Sequence, residues 1–133
     1  MKKLILTAAA VSTLAFSQAS IAAYPEKSIR LVVPFATGGT SEIIARSVAN
    51  SLSTSLGQSV YVENKPGGAG NIAMEEVKRA NPDGYTLILG HVGTLAVNPA
   101  LFGPKLPYDP NKDFAPITLV AKVPNVIAVS SKS

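Results

Sequence analysis

Three β-branched runs, each ending near glycine and separated by helix-length stretches, constrain this chain more than any other feature. The first, Ser28-Ile29-Arg30-Leu31-Val32-Val33-Pro34-Phe35, leads to the pair Gly38-Gly39. Its unbroken apolar centre, Leu31 to Val33, lacks the alternation of a strand with one wet face, so it predicts a strand buried on both faces, as in a parallel sheet. Residues 41–56 follow with Ile44, Val48, Leu52 and Leu56 four apart. That spacing predicts one apolar helix face, stopped by Gly57. Residues 59–63 predict a second strand, 64–70 a turn, and 71–80 a second helix with Ile72, Met74 and Val77 inward. Asn81-Pro82-Asp83-Gly84 breaks that helix, and residues 85–90 predict a third strand. The order β-α-β-α-β is that of an α/β fold with a parallel sheet.

Beyond Gly90 the pattern changes. Prolines and glycines surround a short apolar piece, Thr94-Leu95-Ala96-Val97, which predicts one helical turn within loops over residues 91–107. Residues 114–122 and 125–130 are two further strand candidates, parted by Pro124.

The N-terminus reads as an export leader. Lys2 and Lys3 precede an apolar, Ala-rich stretch from Leu4 to Phe16, and Ser20-Ile21-Ala22 offers the small residues of a cleavage site. Cleavage is expected after Ala22 or Ala23. The apolar stretch is shorter than the roughly 20 residues that span a bilayer. With no cysteine in the chain, lipid attachment there is excluded. The expected location is the periplasm. The formal charge of +4 includes Lys2 and Lys3; from Tyr24 onward ten basic residues face eight acidic ones. They are scattered and not interleaved with aromatics, which argues against a nucleic-acid surface.

The chemistry sits in two turns. Ala36-Thr37-Gly38-Gly39-Thr40-Ser41 follows the first strand and Pro66-Gly67-Gly68-Ala69-Gly70 follows the second. Parallel strands put both turns on one sheet edge, at the carboxyl ends where α/β folds take ligands. Glycines let backbone N–H groups face inward, and helix N-termini add positive partial charge. Such a pair is suited to a carboxylate; two tight turns with no ligand remain the plainer alternative. Neither turn carries the Lys-Ser/Thr of a P-loop. Gly68-Ala69-Gly70-Asn71-Ile72-Ala73 lacks the acidic partner of a dinucleotide site about 20 residues on. No cofactor is expected. His91 is the single histidine; with Ser41 or Ser130 and Asp83 it makes no supported triad, and no metal-ligand cluster is present. Ending the third strand, His91 is placed either to touch a solute or simply as a polar strand end. The adjacent Glu75-Glu76 reads as a solvated helix face.

The blocks Tyr24-Pro25-Glu26-Lys27 through Gly38-Gly39, Val62-Glu63-Asn64-Lys65-Pro66-Gly67-Gly68-Ala69-Gly70, Asn81-Pro82-Asp83-Gly84-Tyr85, Asn98-Pro99, Leu106-Pro107-Tyr108-Asp109-Pro110 and Asp113-Phe114-Ala115-Pro116-Ile117 resemble the Bug, or TctC-like, receptors. The resemblance implies a two-lobed, type II Venus-flytrap periplasmic-binding-protein fold that captures a small carboxylate and delivers it to two membrane permease subunits. It implies no enzyme activity. It places Ala36 to Ser41 and Pro66 to Gly70 at the solute, with His91 and Thr94 in a further cleft-lining turn. Glu42 stands where the family usually has Asp, and Thr37 where Pro is frequent. The family runs to roughly 300 residues. Residues 23–125 are therefore expected to be an incomplete first lobe and 126–133 the start of the crossover to a second. A folded chain is expected to be monomeric. A truncated remnant that binds nothing is the alternative function.

Overall fold

The computed structural model describes residues 24–124 and 127–131. The leader with its cleavage site, and Asn125 and Val126 of the last strand candidate, lie outside the described residues.

Strands β1 (Ile29–Val33), β2 (Val60–Asn64) and β3 (Thr86–Ile88) form one parallel sheet in the order β2-β1-β3. Ile29 pairs with Val60 and Arg30 with Thr86 across the two ladders. The central strand is buried on both faces, as its composition predicts. Ile29, Leu31 and Val33 face helix α1 (Thr40–Leu56), while Val32 faces helix α2 (Asn71–Lys78) with Ala73 and Val77. Alternate side chains of a strand point to opposite faces, so one strand nucleates two cores.

The residues of α1 that meet the sheet most closely are Ala45 and Ala49. The stripe Ile44, Val48, Leu52 and Leu56 is only half-buried. Small side chains bring the helix axis close to the sheet, and the larger aliphatics then flank the contact. Gly57 ends α1 at φ +67 and donates its N–H to the Ser53 carbonyl at 3.1 Å. A Cβ there meets nothing within 4 Å. Gly57→Ala is therefore expected to cost about 1 kcal/mol, the backbone penalty alone, in a urea melt.

On α2, Met74 and Val77 are buried as expected, but Ile72 is more than half exposed. It lies over the preceding glycine turn, with Cδ1 2.8 Å from where a Gly67 Cβ would stand. Residues 92–105 are more helical than one turn: a π-helical turn (Gly93–Val97) runs into helix α3 (Asn98–Phe102) and a 3₁₀ turn (Gly103–Lys105). Residues 114–122 do not form the expected strand. Phe114 packs on Val32 and α2, but residues 115–124 are exposed and in no ladder. Residues 127–130 are likewise exposed and in no strand. β-Propensity is realised only where a partner edge supplies hydrogen bonds and a face to pack on.

The start of the described chain is clasped to the α2–β3 connection. Tyr24 donates its hydroxyl to the Gly84 carbonyl at 2.7 Å, and its ring packs on Tyr85 at 5.0 Å. Lys27 lies over the Tyr85 ring and pairs with Asp83. Among the described residues no helix is long and apolar enough to cross a membrane.

Candidate functional site

The strand order decides which turns meet. With β1 central, the chain leaves β1 towards β2 and returns past it to β3. The turn after β1 and the segment after β3 therefore flank the point where the order reverses.

The first turn is shaped by the head of α1. Gly38 has φ +87, and its N–H donates to Glu42 Oε2 at 2.5 Å. Glu42 also takes Arg46 Nε at 2.8 Å. The Gly38 N–H, then Arg46, hold this carboxyl below the ordinary glutamate range. Glu42 is buried, a role that its position in a first turn did not reveal. Ala36, Thr37, Gly38, Gly39 and Thr40 are exposed, and Ser41 is half-buried. The first N–H groups of α1 have no partner within the helix.

The second turn is tied to the first. Asn64, at the end of β2, donates Nδ2 to the Phe35 carbonyl at 3.0 Å. Pro66, Gly67, Gly68 and Ala69 are exposed, and Gly70 is buried. Gly67, Gly68, Ala69 and Gly70 all have positive φ, so the peptide groups turn over in succession just before α2.

The third segment closes on the other two. His91 is exposed, and its ring meets Phe35 edge-on at 5.0 Å. His91 Nδ1 accepts the Gly93 N–H at 2.9 Å, which leaves the proton of the neutral ring on Nε2. Thr94 has no exposed surface. Its hydroxyl donates to the His91 carbonyl and accepts the His91 N–H, both at 3.1 Å. Thr94 thus holds His91 rather than facing solvent itself.

The three segments form an open wall, not an enclosed pocket. Two open depressions, of about 350 and 300 Å³, lie elsewhere: one among Leu95, Pro99, Tyr108 and Pro110, the other between α1 and β2 at Arg46, Asn50 and Tyr61. Neither includes a glycine of the two turns. Glu76 is not merely solvated. It pairs with Arg30 of β1 and Lys65, while Arg30 Nε lies 3.1 Å from Glu63 Oε2. Glu75 pairs along the helix with Arg79.

This parallel α/β lobe has the fold of the periplasmic binding proteins, on whose solved structures it superposes. The comparisons agree. The profile of the tripartite tricarboxylate transporter family receptor (TctC) matches residues 44–133. A Bordetella bronchiseptica protein of family UPF0065 is 39% identical over 133 residues, all of this chain and 39% of its own length. MatC of Rhodopseudomonas palustris, solved with malate, superposes with a TM-score of 0.70 at 44% identity, over 73% of this chain and 33% of its own. The periplasmic binding protein BugD gives 0.66 at 45% identity, over 71% and 31%. The chain belongs to the tripartite tricarboxylate transporter receptor family, a family of transport receptors and not of enzymes. It spans about a third of the length of these relatives.

Proposed function

We propose that this chain supplies the carboxylate-holding wall of a periplasmic solute receptor. The observation that carries the reading is the pairing of two glycine-rich turns, 36–41 and 66–70, on adjacent parallel strands, cross-linked by the Asn64–Phe35 hydrogen bond. Exposed backbone N–H groups at a sheet edge, reinforced by the start of α1, recognise an anion without a basic side chain. The His91 ring offers Nε2–H as a further donor. The malate bound to MatC supports a small di- or tricarboxylate as the solute. Family membership supports two membrane permease subunits as the partners that receive it. The Lys2-Lys3 leader supports export to the periplasm with cleavage after Ala22 or Ala23.

One wall buries only part of a small acid, so the expected dissociation constant for malate is on the order of 1 mM. The check is a malate titration of the ¹⁵N-labelled chain. Amide shifts confined to residues 36–41, 67–71 and 91–94 are expected. No shift with malate, citrate, glutamate or benzoate sinks the receptor reading and leaves the non-binding remnant. Mass spectrometry of the exported chain, reading its first residue as Ala23 or Tyr24, checks the leader.

A further inference from the structure

A polar network behind the second turn joins residues far apart in sequence. Asn98, at the head of α3, donates Nδ2 to the Ala69 carbonyl at 2.9 Å and to Asn71 Oδ1 at 2.7 Å. Tyr108 donates its hydroxyl to the Thr94 carbonyl at 2.6 Å, with Asn71 Oδ1 3.2 Å away. Asn98 and Tyr108 are each only 4% exposed. Burial raises the Tyr108 phenol above its ordinary range, so it stays a neutral donor.

Two consequences follow for the turn. Ala69 is the one non-glycine residue with positive φ among the described residues, at +56. That conformation is unfavourable for an L-residue, and the Asn98 amide on its carbonyl offsets the cost. The second consequence concerns Asn71, the first residue of α2. Its Oδ1 accepts a hydrogen from Asn98 Nδ2, whose other hydrogen is held by the Ala69 carbonyl, and this fixes the Asn71 amide orientation. The Nδ2 end is therefore the end not taken up by Asn98, and Asn71 itself is part-exposed at the head of α2, directly after the second turn. Asn98 and Tyr108 cannot touch a solute at the sheet edge, because they lie behind the turn.

We propose that Asn98 and Tyr108 are positioning residues of the solute site, holding Ala69 in its left-handed conformation and presenting the Asn71 amide nitrogen as a donor to the solute carboxylate. This rests on the receptor reading above. It adds a second side-chain donor, beside His91, to a wall otherwise built of backbone, and it gives the Asn98-Pro99 and Tyr108-Asp109 segments a role in recognition.

The test uses the full chain, ¹⁵N-labelled, with malate as the probe. Tyr108→Phe keeps the ring that packs edge-on against Phe114 and removes only the hydroxyl. In the ligand-free variant the Asn71 side-chain NH₂ signals and the backbone amides of residues 69–71 are expected to move. Its malate affinity is expected to fall about three- to tenfold at temperatures where it remains folded. Asn71→Asp keeps an oxygen to accept from Asn98 but turns the remaining donor into an anionic acceptor. Its turn amides are expected to stay in place while malate affinity falls about tenfold or more. A purely structural network predicts a lower melting temperature for Tyr108→Phe with unmoved turn amides and unchanged malate affinity, and that result overturns the proposal. Wild-type malate binding retained in Asn71→Asp overturns the donor role alone. Absence of malate binding in the wild type overturns the receptor reading and the donor role with it.

Discussion

Gly70→Ala is expected to destabilise the lobe by about 2–4 kcal/mol, a large share of the 5–15 kcal/mol that holds a typical domain. Two costs combine. Gly70 sits at φ +88, a backbone region that charges any Cβ about 1 kcal/mol. The new Cβ also falls 2.6 Å from Thr94 Cγ2 and 3.3 Å from Pro34 Cβ, where both neighbours are fully buried and cannot retreat. Gly38→Ala separates the two costs. Gly38 has φ +87 but nothing within 4 Å of a Cβ, so it should lose only about 1 kcal/mol. The decisive measurement is a double-mutant cycle by urea denaturation. Thr94→Ser removes the methyl in the way and keeps the hydroxyl bound to His91, so it should return a substantial part of the Gly70→Ala loss. Strict additivity of the two substitutions would show that steric contact is not the cause.

Glu76→Gln should cost about 1 kcal/mol at neutral pH, and the cost should vanish in acid. The figure allows for screening, because the Glu76 side chain is a third exposed. Lys65 first, then Arg30, hold the Glu76 carboxyl below the ordinary glutamate range. A group with a depressed folded pKa contributes stability above its unfolded value, near 4.3 for glutamate, and loses it as pH falls through the folded value. The gap between wild type and Glu76→Gln, measured by urea midpoints, should therefore be full at pH 7 and close below about pH 4. A gap that persists unchanged at pH 3 would mean that charge is not its origin. Arg30 makes the site sensitive: it is held by Glu63 and Glu76 together, so loss of one partner leaves a half-buried guanidinium with the other alone.

Much of the fold was legible because its signals are local. The apolar core of β1, the helix over residues 40–56 and the glycine stop at Gly57 each follow from side chains within a few positions of one another. The edge placement of the turns also followed, since it needs only the parallel order of strands. The misreadings share a cause. Ile44 to Leu56 mark the right side of α1, but whether those residues or Ala45 and Ala49 touch the sheet depends on how closely two surfaces approach. Ile72 fits an inward pattern, yet the glycines of the preceding turn leave open space that it covers from outside. Residues 114–122 have strand composition but meet no sheet edge.

The candidate site divides in the same way. The sequence by itself determined that glycine-rich turns lie at the carboxyl edge, because backbone freedom and chain order are properties of the sequence. It could not decide that Thr94 is buried beneath His91, that Glu42 caps the first turn, or that Asn98 and Tyr108 reach Asn71 across 27 and 37 residues. Those facts depend on hydrogen bonds between groups whose separation only the folded chain sets. A buried polar side chain is stable only once its partners are in place, so tertiary structure alone decided which polar residues at this edge are exposed and which hold it in shape.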